Sequence, residues 1–208
     1  MNQTAKFWDD IAEGYAKSKI RDPGAYEEKL KITRELFPAE ANVLEIACGT
    51  GTTALHHAPH VKHYTATDIS QKMLEIGREK AAAAGLSNIS FEQQNILEAR
   101  LPEAAYDAVL AMSILHLVAD RPALLAKVVE TLKPGGVFVS STICLGNMAF
   151  YFPVLLSVMK RVGKAPSIVD SFKHEHLDEL MQEAGLIIER HDRMSKGSVA
   201  FIVARKPN

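Results

Sequence analysis

The stretch that most constrains the fold of this chain is residues 43–54, which read VLEIACGTGTTA. A run of strand character enters a turn with two glycines, and small helix-compatible residues follow it. Because Gly49 and Gly51 lack a side chain, the turn can adopt positive φ and a ligand can approach its backbone closely. The first turn of the next helix would direct free N–H groups toward that ligand. The sequence therefore predicts a strand–loop–helix site of the nucleotide-binding type.

Two classes of cofactor fit this loop. Residues 49–54 satisfy the dinucleotide pattern G-x-G-x-x-G/A, and Asp68 follows at about the right distance to bind a ribose. This pattern is therefore compatible with a nicotinamide-dependent oxidoreductase as an alternative function. Glu45 and the run 47–51, however, resemble the first motif of the class I S-adenosylmethionine-dependent methyltransferases, E/D-x-x-C-G-x-G. Ala47 departs from that motif, because a glycine often stands at its position.

Further motifs along the chain resemble the same family. Residues 68–74 (DISQKML) resemble its second motif, D-x-S-x-x-M-L. Residues 101–107 resemble its L-P-x-x-x-F/Y-D pattern, and residues 132–136 read LKPGG, a further family motif. The string from Phe7 to Tyr15 looks like the opening of many small methyltransferases. The resemblance thus covers nearly the whole chain.

The resemblance implies a binding site for S-adenosyl-L-methionine. Asp68 is expected to accept hydrogen bonds from both ribose hydroxyls, and Tyr15 is expected to cover the cofactor. Asn95 stands where the family usually carries an aspartate that accepts a bond from the adenine amino group; its amide oxygen can accept that bond, while its NH₂ adds a donor. Ile96 would lie against the adenine ring. The predicted cofactor-binding residues are Tyr15, Glu45, Ala47, Gly49, Gly51, Asp68, Ile69, Met73, Asn95, Ile96 and Ser113.

The implied reaction is transfer of a methyl group to a small-molecule acceptor by direct in-line displacement. His116 follows a predicted strand at 108–111 and has a side chain that titrates near neutrality, so it is the predicted catalytic base or acceptor contact. The alternative is a histidine that packs at a helix start. A non-catalytic S-adenosylmethionine-binding protein also stays open, because cofactor motifs report binding and not turnover.

The order of elements predicts a single α/β domain, residues 1–208. Two helices within residues 1–38 form a helical cap in front of the first strand. Strands then alternate with helices as far as residue 142, and the adjacent strands 186–193 and 198–204 form an antiparallel hairpin. The resemblance implies a Rossmann-like mixed seven-stranded sheet with helices on both faces and this C-terminal hairpin. A nicotinamide-type sheet normally finishes with parallel strands instead.

Residues 144–170 depart most from the family pattern. They include an apolar segment, residues 148–159, that is too large for a surface loop. In related enzymes the connection after the fifth strand often carries a lid over the acceptor. Two interpretations of this segment are therefore possible. It is either an acceptor-side insertion, which would suit a partly apolar acceptor, or a helix that packs in the core.

Composition limits the partners and the location of the protein. The net charge is −1 and no basic block occurs, so nucleic acid is not an expected partner. No run of about 18 apolar residues and no signal-peptide pattern is found, so no membrane span is expected. Cys48 and Cys144 are the two cysteines; no disulfide is expected, and a reducing cytoplasmic location fits. His56 and His60 lack a third ligand of clear spacing, so no metal site is expected. The oligomeric state is not indicated.

Overall fold

The computed structural model describes residues 3–144 and 173–208 of the chain. The helices are α1 (Gln3–Lys17), α2 (Pro23–Glu35), α3 (Thr52–His57), α4 (Gln71–Ala83), α5 (Arg121–Thr131) and α6 (His174–Glu183). The strands are β1 (Asn42–Ile46), β2 (His63–Asp68), β3 (Ile89–Gln93), β4 (Tyr106–Met112), β5 (Leu132–Ile143), β6 (Ile187–Met194) and β7 (Val199–Arg205). The predicted acceptor-side insertion at 144–170 lies, apart from Cys144, outside the described residues.

The strands form one seven-stranded sheet in the order β3-β2-β1-β4-β5-β7-β6. Strands β1 to β5 pair in parallel, whereas β7 pairs antiparallel with both β5 and β6. The predicted mixed sheet with its C-terminal hairpin is therefore confirmed. Because the chain passes from β1 to β2 on one side and β4 lies on the other, the strand order reverses between β1 and β4. In open α/β sheets a crevice for ligands forms at the carboxyl ends of the strands beside such a reversal.

The central strands are buried on both faces, as parallel strands covered by helices are. Consecutive residues of β1 belong to different cores: Val43 packs in a cluster with Ile32 of α2, and Leu44 packs in a cluster with Leu125 of α5. Both β1 side chains are fully buried. Each face of the sheet is thus covered by helices, and the sheet fixes the positions of the loops at its carboxyl edge.

Strand β5 includes the LKPGG stretch at 132–136, and its pairing with β4 is irregular between Tyr106 and Ala108. The carboxylate of Asp107 accepts hydrogen bonds from Lys133 Nζ at 2.8 Å and from Asn42 N–H at 2.8 Å. Asp107 therefore ties three strands together at the end of the sheet opposite the crevice, as expected of a structural residue.

Within the described ranges, no helix combines the length and the apolar character needed to cross a bilayer.

Candidate cofactor site

The glycine loop between β1 and α3 turns in left-handed backbone conformations. The φ angle is 55° at Ala47, 56° at Gly49 and 72° at Gly51. Cys48 N–H donates to the Thr67 carbonyl at 2.9 Å, and Gly51 N–H donates to the Cys48 carbonyl at 3.0 Å, which closes the loop. For a residue with a Cβ this conformation costs about 1–2 kcal/mol. Ala47 is therefore strained at the position where the family often has glycine.

The two glycines of the loop meet different neighbours. A Cβ at Gly51 would lie 2.8 Å from Cε1 of Phe91, and a Cβ at Gly77 in α4 would lie 2.6 Å from the same atom. The Phe91 ring therefore packs directly against both backbones, and Gly51 is needed for this packing. At Gly49 a Cβ would meet, among the described residues, only Cε1 of Tyr15 at 3.7 Å. The backbone at Gly49 is thus the part of the loop that a ligand can approach.

The Asp68 carboxylate joins the end of β2 to the glycine loop. Its Oδ2 accepts a hydrogen bond from Gly49 N–H at 2.9 Å, and its Oδ1 accepts one from Ser70 N–H at 2.8 Å. Only 7% of Asp68 is exposed, and this burial raises its pKa, which the two backbone donors lower in part. Ser70 separately caps α4, since its Oγ accepts from Met73 N–H at 3.2 Å. A carboxylate oxygen can accept two bonds, so Asp68 keeps acceptor capacity for a ribose hydroxyl.

Tyr15, which is expected to cover the cofactor, lies next to Gly49, and its covering role stays a prediction. It belongs to α1, and about half of its surface is exposed. Partial burial raises the pKa of Tyr15, and the carboxylates of Asp68 and Glu45 raise it further. The phenol is therefore neutral and placed near both acidic groups of the site.

Helix α1 is held in place by Asp9, which sequence analysis missed. Asp9 Oδ1 accepts hydrogen bonds from Ser70 Oγ at 2.6 Å and from Lys72 N–H at 3.1 Å. The same loop after β2 thus carries Asp68 and anchors the helix that brings Tyr15 over Gly49. The available signal was the position of Asp9 inside the N-terminal string that resembles other methyltransferases.

Glu45, predicted to bind the cofactor, is 1% exposed in β1. Its Oε2 accepts a hydrogen bond from Tyr64 Oη at 2.9 Å. Burial raises the pKa of Glu45 to about 8, and the Tyr64 hydrogen bond offsets this only in part. Glu45 therefore carries a proton at neutral pH and supports the loop from below; its contact with the cofactor stays a prediction.

The remaining predicted residues near β2 and β3 have local partners. Asn95 Oδ1 accepts from Leu97 N–H at 3.3 Å, and its Nδ2 donates to Glu98 at 2.8 Å, so the side chain stabilises the turn after β3. Ile96 and Met73 are buried in the core, and Ile69 is half-buried. Their roles toward adenine and ribose stay predictions.

The other wall of the crevice follows β4. Ser113 is exposed, has φ 64°, and donates its N–H to the Ser141 carbonyl of β5 at 2.7 Å. His116 lies in a single 3₁₀ turn, Leu115–Leu117, and is 6% exposed. Burial lowers the pKa of His116 to about 4, and its Nδ1 has no hydrogen-bond partner among the described residues. The imidazole is therefore neutral at pH 7, and its role as a base stays a prediction.

Helix α2 adds two polar contacts that sequence analysis did not anticipate. Tyr26 Oη lies 3.2 Å from Thr53 Oγ1 in the first turn of α3. Lys29 Nζ donates to Ser141 Oγ at 3.1 Å. The helix therefore reaches from the end of the glycine loop to the end of β5.

His56 and His57 lie in α3, whereas His60 lies after the end of this helix. His57 is buried between the rings of Phe37 and Tyr64, and α3 ends at this residue. No group of three or more histidine, cysteine, aspartate or glutamate side chains within 3–144 and 173–208 has the arrangement of a metal site.

Known proteins resemble this chain in sequence and in structure. A family profile described as "Methyltransferase domain" matches residues 43–136. A demethylmenaquinone methyltransferase of Symbiobacterium thermophilum is 26% identical over 229 residues, which cover 97% of this chain and 91% of that protein. A demethylmenaquinone methyltransferase of Listeria monocytogenes is 33% identical over 113 residues, which cover 53% of this chain and 47%, about half, of that relative.

A solved structure shows the same fold. Phosphoethanolamine N-methyltransferase 2 of Haemonchus contortus, in complex with S-adenosyl-L-methionine, matches with a TM-score of 0.79 at 16% identity. The match covers 100% of this chain and 61% of that chain. At this identity the likeness concerns the fold alone.

The family profile covers the part of the molecule that holds the candidate site. The profile spans β1 to the start of β5, which includes the glycine loop, Asp68 and Ser113. An open Gly49 backbone under Tyr15, beside the Asp68 carboxylate, fits a nucleoside cofactor. Residues 43–136 carry a methyltransferase domain, and the sequence and fold comparisons together support a class I S-adenosyl-L-methionine-dependent methyltransferase.

Proposed function

We propose that this enzyme methylates a partly apolar small molecule by direct in-line displacement, with S-adenosyl-L-methionine bound across the glycine loop. The observation that carries the proposal is the hydrogen bond from Gly49 N–H to the Asp68 carboxylate. This bond holds the Asp68 carboxylate beside Gly49, where a ligand can approach the backbone, and so supports a role for Asp68 in binding ribose. Tyr15 above Gly49 supplies a cover for the bound nucleoside.

Each predicted cofactor residue takes a place in this proposal. Asp68 binds the ribose hydroxyls, and Ile69 and Met73 shape the backbone and helix start that follow it. Asn95 and Ile96 receive the adenine at the end of β3. Glu45 and Ala47 support the loop, and Ser113 borders the reacting end of the cofactor at β4.

The bound cofactor supplies the reactive methyl group, and the protein supplies orientation and exclusion of water. Holding two reactants in line can contribute about 7–11 kcal/mol to lowering the barrier. Tyr15 and helix α1 close one side of the crevice. His116, neutral through burial, can accept a proton at Nδ1 if the acceptor must lose one.

The acceptor side and the setting of the enzyme are also part of the proposal. The net charge of −1 favours a small molecule over nucleic acid as partner. Cys48 and Cys144 are both buried and free, which supports a reducing, cytoplasmic location.

The ribose assignment is tested by replacing Asp68 with asparagine. Asparagine keeps a hydrogen-bond acceptor but removes the charge, and a charge-assisted bond contributes about 1.5–3 kcal/mol. We expect Asp68→Asn to weaken S-adenosylmethionine binding about tenfold or more in calorimetric titrations while circular dichroism stays unchanged. Asp107→Asn, at the opposite end of the sheet, is the matched control and leaves cofactor affinity unchanged. Equal affinities in the wild type and Asp68→Asn would reject the assignment.

The reaction is tested separately from binding. Wild-type protein is titrated with S-adenosylmethionine and with NAD⁺, and binding of NAD⁺ alone would point to the oxidoreductase. Release of S-adenosylhomocysteine is then measured across a panel of small acceptors. Binding of S-adenosylmethionine with no release for any acceptor would favour the non-catalytic binding protein.

A further inference from the structure

Two side chains of α2 reach from one helix face to the two sides of the crevice. Tyr26 contacts Thr53 beside the glycine loop, and Lys29 contacts Ser141 near the carboxyl end of β5. Residues three apart on a helix lie on the same face, so Tyr26 and Lys29 are neighbours. Because the Ser141 carbonyl also accepts the Ser113 N–H, the Lys29 ammonium lies where β4 and β5 end.

Lys29 has no carboxylate partner in the part of the chain that the structure describes. The residue is half-buried, and its hydrogen-bond acceptor is the neutral hydroxyl of Ser141. Burial lowers the pKa of Lys29, and the Asp22 carboxylate opposes this only in part. Asp22 is itself engaged with Ala25 N–H and Ser195 Oγ. Within the described residues no carboxylate forms a close ion pair with this ammonium, so its charge is only partly compensated.

The sheet face beside the ammonium is apolar. Ser141 pairs with Met112 of β4 and with Phe201 of β7, and side chains of paired residues share one face of the sheet. Phe201 is fully buried and Met112 is partly buried. Apolar surroundings strengthen the attraction between Lys29 and an anion that displaces water from it.

We propose that Lys29 anchors the methyl acceptor by pairing with an anionic oxygen, a carboxylate or an ionised phenol, on an otherwise apolar molecule. This inference rests on the proposed function and names the acceptor class. Ser141 holds the ammonium in position while the acceptor is absent. Lys29 is thus a binding residue on the acceptor side, separate from the cofactor residues around Asp68.

The test uses two pairs of probes, and in each pair one member has an acidic oxygen while the other has a neutral group in its place. They are 2-naphthoate with 2-naphthamide, and 2-naphthol with 2-methoxynaphthalene, each titrated into full-length protein saturated with S-adenosylhomocysteine. We expect the wild type to prefer an acidic member over its neutral partner. Preference for naphthoate assigns a carboxylate, and preference for naphthol assigns a phenol. No preference in either pair, including no measurable binding, would overturn the proposal.

Three variants separate the role of the charge from a structural role. Lys29→Met should weaken the preferred acidic probe by roughly tenfold to hundredfold, leave its neutral partner unchanged, and keep or raise the melting temperature. Lys29→Arg should restore most of the preference. Lys31→Met, on the exposed side of the same helix, is the control and should change neither measurement. A Lys29→Met protein that melts lower and keeps the acidic preference would show a structural tether instead.

Cofactor titrations of the same proteins separate this inference from the proposed function. Lys29→Met should bind S-adenosylmethionine like the wild type. A wild type that fails to bind S-adenosylmethionine would defeat the proposed function. A wild type that binds the cofactor and shows no acidic preference would defeat the Lys29 assignment alone.

Discussion

Four residues at the crevice have left-handed backbone conformations, and two of them are not glycine. Ala47 follows β1 and Ser113 follows β4, the neighbouring strands between which the strand order reverses. Such conformations persist only where the surrounding structure enforces them, and they concentrate at functional sites. Gly49 and Gly51 relieve the same strain within the loop, but they meet different neighbours. The loop therefore combines one position that admits a ligand with another that packs against the core.

Alanine at these two glycines should have separable effects. Gly49→Ala adds a Cβ next to the open backbone, so we expect a stability loss of about 1–2 kcal/mol from positive φ and a large loss of S-adenosylmethionine affinity. Gly51→Ala drives its Cβ into Phe91, so we expect a larger loss of stability, measured by urea unfolding. Adding Phe91→Leu to Gly51→Ala should restore part of that stability and should not rescue Gly49→Ala. Full cofactor affinity in Gly49→Ala would show that this glycine serves the turn alone.

At the scale of elements, the carboxylate of Asp9 ties α1, the proposed cover of the cofactor, to the start of α4. Asp9 accepts two hydrogen bonds from the loop after β2, while the neighbouring Asp10 forms an exposed ion pair with Lys6. The first arrangement links α1 to the loop beside Asp68, the residue proposed to bind ribose. The second is an exposed helix pair of the kind that contributes little to stability.

Releasing this link should loosen the cover. We expect Asp9→Ala to accelerate dissociation of S-adenosylmethionine and to raise its dissociation constant severalfold, because Tyr15 is no longer held over Gly49. Asp10→Ala is the matched control and should change the stability by less than about 0.5 kcal/mol and leave the cofactor kinetics unchanged. Stopped-flow dissociation measurements on both variants check this. Equal dissociation rates for Asp9→Ala and wild type would show that α1 does not cover the cofactor.

The sequence predicted the elements and contacts that depend on neighbouring residues. The turn glycines and the C-terminal hairpin follow from local patterns, and both are present. The contacts of Asp9 with Ser70 and of Lys29 with Ser141 join residues 61 and 112 positions apart. Such pairs depend on how helices are placed on the sheet, which local periodicity does not specify. For the same reason the burial of His116 and the packing of Phe91 against Gly51 could not be predicted.

For the whole molecule, two buried histidines and one buried glutamate make the free energy of unfolding depend on pH in opposite directions. Burial lowers the pKa of His57 to about 3 and of His116 to about 4, from an ordinary value of 6.5. At pH values between the lowered pKa of each histidine and 6.5, the unfolded chain binds a proton that the folded chain does not. The free energy of unfolding therefore decreases as the pH falls below about 6.5. Burial raises the pKa of Glu45 to about 8 from 4.5. Here the fold keeps a proton that the unfolded chain releases, so this contribution is present at low pH and is lost as the pH rises through about 8.

Replacing His57 with phenylalanine should isolate the acid-side effect. His57 is 1% exposed, and neither ring nitrogen has a hydrogen-bond partner among the described residues, so phenylalanine can fill the space between Phe37 and Tyr64. We expect His57→Phe to gain up to about 2 kcal/mol more at pH 5 than at pH 7, because wild-type unfolding at pH 5 is favoured by protonation of the exposed imidazole. Urea unfolding at both pH values measures the difference. An equal gain for His57→Phe at pH 5 and pH 7 would show that His57 titrates alike in the folded and unfolded chain.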